Sequence, residues 1–80
     1  MNPHILFIID HNLNPDKHTK AQLDKNADDA YDADDASIYA CAYAAAVDYD
    51  AAVDYWLRRY FKQTGENKQD YIDAINKDNK

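Results

Sequence analysis

Aspartate and tyrosine are the residue types in this chain whose number and spacing could do chemistry. Between Asp24 and Asp54, nine aspartates (24, 28, 29, 32, 34, 35, 48, 50 and 54) stand against a single base, Lys25. That segment carries −8 while the whole chain carries −6, which leaves +2 on the rest. Asp24, Asp28, Asp32 and Asp35 recur at spacings of four, four and three, so on a helix they line one face. Like charges four residues apart cost a helix a few tenths of a kcal/mol per pair, and a function would explain why several are tolerated. The chemistry such a row offers is capture of Lys and Arg side chains on a basic partner and, at its limit, imitation of a phosphate backbone. Eight net charges over roughly 45 Å of helix is one per about 6 Å, against one per about 1.7 Å in duplex DNA and about 3.4 Å in a single strand. One helix is therefore too dilute to imitate a duplex, and two aligned in a dimer would narrow the gap. The plainer alternative is a solvated acidic face that confers solubility.

The tyrosines form the second group. Tyr31, Tyr39, Tyr43, Tyr49, Tyr55, Tyr60 and Tyr71 are too many to bury in a small core with every hydroxyl satisfied, and tyrosine is favoured where one end is wet and at protein interfaces. Some are expected to pack on alanine with the hydroxyl in water. Tyr39, Tyr43 and Tyr49, beside the Asp face, would make an amphipathic recognition surface. The partner-binding set is accordingly Asp24, Asp28, Asp29, Asp32, Asp35, Tyr39, Tyr43, Asp50 and Asp54.

Other chemistries find little support. The chain has one glycine and no glycine-rich phosphate loop. The only serine, Ser37, falls within a helical pattern, and Cys41 lies on an apolar stripe where an inert thiol is expected. Asp32-Ala-Asp34-Asp35 lacks the mid-loop glycine and terminal glutamate of a calcium loop. His4, His11 and His18, spaced by seven, straddle a strand and a loop and read as exposed imidazoles rather than zinc ligands. Neither a cofactor, a metal nor catalysis is expected.

The elements that must position these residues follow from local pattern. His4-Ile-Leu-Phe-Ile-Ile9 is a continuous, β-branched apolar run that reads as a short strand or extended segment over 4–9, with a short apolar helix as the alternative. A lone strand has no ladder partner in the chain, which hints at pairing with a second copy or another protein. Asp10 to His18 reads as a loop around Asn14-Pro15-Asp16 turn chemistry. Thr19-Lys-Ala-Gln22 is a capping box, so a helix starts near Lys20. From there no Gly or Pro intervenes until Gly65. Ala27, Tyr31, Ile38, Cys41, Ala45, Ala52 and Trp56 form an apolar stripe flanked by Tyr49, Val53, Leu57 and Tyr60. One long helix over 20–63 is expected, with a bend or break at 34–37 or 48–50 where Asp34, Ser37 and Asp48 interrupt the stripe; two helices folded into a hairpin are the alternative, although no turn residue marks the corner. Unbroken, the long helix would be about 65 Å long. Gly65 is a natural helix terminator, and Asn67 caps a short last helix over 67–77 with Tyr71, Ile72 and Ile75 as its buried face. The fold class is mainly α in a single small domain over 1–80: an N-terminal extended segment or strand, a long Ala/Asp/Tyr-rich helix and a short C-terminal helix.

Composition bounds the setting. A lone cysteine excludes an internal disulfide and fits a reducing cytoplasm. The run Ile5 to Ile9 is far below the roughly 20 residues that span a bilayer and lacks the flanks of a signal peptide. A charge of −6 argues against direct binding to nucleic acid or anionic lipid and favours basic partners.

The pattern Asn26-Ala-Asp-Asp-Ala-Tyr-Asp-Ala-Asp-Asp-Ala, the Ala/Tyr/Asp tract after it, Tyr55-Trp-Leu-Arg-Arg-Tyr-Phe-Lys-Gln-Thr-Gly-Glu-Asn67 and Tyr71-Ile72 resemble small acidic early proteins of tailed bacteriophages. The resemblance brings no catalytic motif. It implies a phage product in a bacterial host cytoplasm, where such proteins inhibit host defence or host enzymes. The leading expectation is a non-enzymatic inhibitor, of anti-restriction or anti-CRISPR type, that engages a basic, nucleic-acid-handling host protein through the acidic, tyrosine-rich face. The alternative is a structural or assembly module that self-associates, as in a homodimer, through its alanine stripe and the 4–9 strand, its acidity conferring only solubility.

Overall fold

The computed structural model describes residues 1–32 and 36–78. Its elements are α1 (Pro3–Leu13), a single 3-10 turn (Pro15–Lys17), α2 (Lys20–Asp32), α3 (Ala36–Ala46), α4 (Asp50–Thr64) and α5 (Lys68–Asp78). The expected bend at 34–37 and the residues Asp34 and Asp35 fall wholly or mainly outside the described residues.

The N-terminal run is helix rather than strand. Asn2 is the N-cap: its side-chain oxygen accepts from the His4 and Ile5 backbone N–H groups at 2.9 and 3.2 Å, and Pro3 occupies the first helical position, where its missing N–H costs nothing. Ile5, Ile8 and Ile9 are all essentially fully buried. A strand would send Ile8 and Ile9 to opposite faces, whereas the helical spacing of three and four turns all three towards one core. Burial of that face outweighs the modest helix penalty of β-branching. No strand occurs among the described residues.

The expected loop from Asp10 shrinks to Asn14–Thr19, since α1 runs to Leu13. Asp10 anchors it, accepting from Asn14 Nδ2 at 2.9 Å, Lys17 Nζ at 3.0 Å and His18 at 3.1 Å. The His18 ring also stacks against Phe7 at 4.3 Å, and His4 meets Asn26 of α2 at 3.2 Å. These imidazoles are built into helix contacts and are not the exposed loop side chains the sequence suggested.

The single long helix over 20–63 resolves into three. The capping box stands as read: Gln22 N–H donates to Thr19 Oγ1 at 3.2 Å and Thr19 N–H to Gln22 Oε1 at 2.8 Å. α2 then ends at Asp32 and α3 begins at Ala36. Between α3 and α4 the break falls within the expected 48–50 window. Tyr49 N–H bonds Ala44 O at 2.9 Å and Asp48 N–H bonds Ala45 O at 3.2 Å, the paired closure of a Schellman motif. Asp48 adopts the left-handed conformation that motif demands, at φ 59°. The folded chain spans 32 × 29 × 23 Å, which leaves no room for a 65 Å rod. An extended helix would leave its apolar stripe in water; folding back gives the stripe partners.

Asp48 identifies a stabilising change. A side chain in the left-handed region is strained relative to glycine, so Asp48→Gly is expected to raise stability by about 0.5–1 kcal/mol, and Asp48→Val to lower it. Thermal melts check this; a lower melting temperature for the glycine variant would contradict the assignment of the turn.

α3 is the central element and packs against α1, α2 and α4. Ile38, Cys41, Ala42, Ala44, Ala45 and Ala46 are buried on it, so it is enclosed on most sides. Alanine at these positions lets neighbouring helices approach at the short end of the usual 8–10 Å spacing. Around it sit Ile5, Ile8 and Ile9 of α1, Leu23, Ala27 and Ala30 of α2, and Val53, Leu57 and Tyr60 of α4, with Tyr71 and Ile75 of α5 completing the core. Gly65 ends α4 in the left-handed conformation, φ 74°, and Asn67 Oδ1 caps α5 by accepting from Gln69 N–H at 2.8 Å, both as the sequence predicts.

Candidate functional site

The capping box sets where α2 starts and hence which residues share its faces. Lys20, Asp24 and Asp28, four apart, lie along one side of α2. Tyr39 and Tyr43, four apart on α3, lie opposite. Between them runs a groove of about 410 Å³ lined by these five residues with Ala27, Ala46 and Val47. Ala27 and Ala46 are buried in its floor; Tyr43 (54 % exposed) and Val47 (48 %) stand at its rim. The ring of Tyr39 sits between those of Tyr31 and Tyr43, at centroid distances of 5.2 and 6.1 Å. Tyr31 at one end is 67 % exposed, so the three rings make an aromatic ridge along the α2–α3 seam. Tyr31, expected on the apolar stripe, is thus a surface position; Tyr49 is exposed too but does not line the groove with Tyr39 and Tyr43.

The expected set divides. Asp24, Asp28, Tyr39 and Tyr43 converge in the groove. Asp29 and Asp32 are exposed on α2 without lining it, and Asp35 lies outside the described residues. Asp50 and Asp54, on α4, line a different cavity of about 380 Å³ together with His11, Asn12, Asp48 and Lys68. Ion pairs temper the acidity: Asp24 pairs with Lys20 at 2.8 Å, Asp29 with Lys25 at 3.1 Å, and Asp54 with Arg58. Asp28, Asp32, Asp48 and Asp50 enter no ion pair among the described residues.

Sequence reasoning missed Lys20 and Val47. Lys20 was legible, since it stands four residues before Asp24 at the start of a capped helix. Val47 was not, because its exposure depends on α3 stopping one residue earlier.

The groove offers carboxylates and phenol rings, a surface that holds ammonium and guanidinium groups by charge and by ring faces. Cys41 is buried, its thiol pushed up to about 12 by that burial, and its Sγ lies 3.9 Å from the Val53 carbonyl. Among the described residues no three His, Cys, Asp or Glu side chains converge to hold a metal ion, and no helix is long and apolar enough to cross a membrane.

Fold and groove together define a small, mainly helical protein with an acidic, tyrosine-lined seam. No protein-family model, curated protein or solved structure matches the chain.

Proposed function

We propose that this is a non-enzymatic binding protein whose α2–α3 groove takes a basic segment of a partner protein. The observation that carries this reading is the convergence of Asp24, Asp28, Tyr39 and Tyr43 from two helices on one open groove, with large aromatic surface left exposed at its rim. A lysine or arginine entering the groove meets two carboxylates and a ring face together. In a bacteriophage setting the partner is a basic, nucleic-acid-handling host protein of the defence machinery, and the protein acts in the host cytoplasm as its inhibitor, of anti-restriction or anti-CRISPR type.

Charge density favours a short basic segment over imitation of a nucleic acid. α2 holds Asp24, Asp28, Asp29 and Asp32 against Lys20 and Lys25, a net −2 over about 20 Å of helix. That is one charge per about 10 Å, against about 3.4 Å in a single strand. Against the assembly reading stands the burial of Ile5, Ile8 and Ile9 and of Ala42, Ala44, Ala45 and Ala46 within the core of a single chain.

The test is affinity capture from bacterial lysate with elution by salt, followed by binding measurements on the purified partner. Asp24→Lys/Asp28→Lys is expected to weaken binding at least about tenfold, since a like charge is set against the partner's own, and Tyr43→Ala to weaken it less. Undiminished binding by the charge-reversed variant would overturn the proposal.

A further inference from the structure

The α2 row has a counterpart elsewhere on the surface. Along α4, Asp54, Arg58 and Lys62 recur every four residues, so they line one side of that helix with a rise of about 6 Å between neighbours. All three are exposed, and Arg58 and Lys62 edge a concavity of about 320 Å³ with Tyr55 and Arg59. Read from the N-terminal end, the α4 row is minus, plus, plus. The α2 row Lys20, Asp24, Asp28, with the same spacing, is plus, minus, minus.

We propose that a second copy of this chain docks here, the α2 row of one copy lying parallel to the α4 row of the other. In that register Lys20 meets Asp54, Asp24 meets Arg58 and Asp28 meets Lys62, three opposite-charge pairs over about 12 Å, a length two crossing helices can share. The charges are free to do so. Lys20, Asp24, Asp54 and Arg58 have side chains 69, 53, 57 and 76 % exposed, and their present pairs run within their own helices, so docking exchanges partners rather than stranding a charge. Arg59 is held apart, its guanidinium 5.4 Å from the Trp56 ring centre and 3.3 Å from the Tyr55 hydroxyl, which leaves Arg58 and Lys62 as the facing cations. Tyr43 beside the first row and Tyr55 beside the second, each about half exposed, supply apolar area at the edges. A nucleic acid fits the α4 row less well, because Asp54 interrupts it and the chain as a whole carries −6.

Sedimentation equilibrium on the purified protein alone tests this, so its outcome is independent of whether the groove takes a host protein. At millimolar concentration wild type is expected to associate at 50 mM NaCl and to do so about tenfold more weakly at 300 mM, where the shorter Debye length screens exposed pairs. Arg58→Glu/Lys62→Glu and Asp24→Lys/Asp28→Lys, each checked for helicity by circular dichroism, are each expected to be monomeric. Mixed, they restore complementary rows and associate one to one. The milder Arg58→Gln/Lys62→Gln is expected to weaken association without reversing charge, and it stands in if a reversed variant does not fold. A monomeric wild type at 50 mM NaCl, association indifferent to salt, or failure of the two folded variants to combine would overturn the proposal. So would capture of an oligothymidylate by the α4 row without self-association.

Discussion

Ile8→Ala is expected to cost about 3 kcal/mol, within the range for truncating a fully buried aliphatic side chain. Ile8 is 0 % exposed, in one core cluster with α3, so removing three carbons leaves a cavity against the alanine-rich helix. Those alanines have no longer side chain with which to fill it. For an 80-residue domain, total stability is on the order of 4–12 kcal/mol, so this one change removes between a quarter and most of it. The corresponding fall in melting temperature is roughly 15 °C. Leu6→Ala, at a half-buried position, is expected to cost about 1 kcal/mol. Urea titrations of the two variants measure the contrast. An Ile8→Ala loss no larger than that of Leu6→Ala would show that α1 does not present its Ile5-Ile8-Ile9 face to the core.

The second large effect concerns the corner between α4 and α5. Tyr60 and Tyr71, 6 % and 1 % exposed, donate hydroxyl hydrogen bonds of 2.5 Å to Glu66 Oε2 and Oε1 respectively. Tyr71 Oη in turn accepts from the Asn2 backbone N–H at 2.9 Å. One carboxylate thus ties α4, α5 and the N-terminus together. Glu66→Ala takes the acceptor from two buried hydroxyls, and the expected cost is about 2 kcal/mol. The same bonds make stability depend on pH in both directions. The hydroxyls of Tyr60, then Tyr71, hold the Glu66 carboxyl below its ordinary 4.5, so its contribution is full above that value and is lost as the pH falls through the lowered one. Asp10 adds to the same limb: burial works to raise its pKa, but hydrogen bonds from Lys17, Asn14 and His18 outweigh this and hold it low. Burial first, and Glu66 second, push the Tyr60 hydroxyl well above its ordinary 10.0. Its contribution is full below 10.0 and lost as the pH rises beyond. Chemical denaturation across pH is expected to show both limbs. Glu66→Gln should shallow the acid limb, leaving the Asp10 share, and Tyr60→Phe should shallow the alkaline one. An unchanged acid limb in Glu66→Gln would remove Glu66 from the account.

Much of this was written locally in the chain. The capping box at Thr19 and Gln22, Gly65 as terminator, Asn67 as cap and Tyr71, Ile72 and Ile75 as the inner face of α5 each rest on hydrogen bonds or spacing within a few residues. Local chemistry therefore suffices to read them. Asn2-Pro3 ahead of the apolar run was an equally local helix-start signal. The reading of 4–9 as a strand rests on the β-branched character of the isoleucines and leaves that signal unused, although their spacing of three and four is helical. The segregation of acid into 24–54, and the pairing of Asp24 and Asp28 with Tyr39 and Tyr43 as one surface, were also visible before any fold was known.

Tertiary structure decided the rest. No turn residue marks where the long Ala/Asp/Tyr tract folds, since alanine is at home in any helix and Asp48 is only tolerant of the left-handed turn. What places the corner is the need of α3 to be covered by α1, α2 and α4, a gain that comes from contacts distant in sequence. That packing set α2 beside α3 and so made the groove. It also carried Asp50 and Asp54 to another face, and it divided the described aspartates of one imagined rod among separate surfaces with different partners.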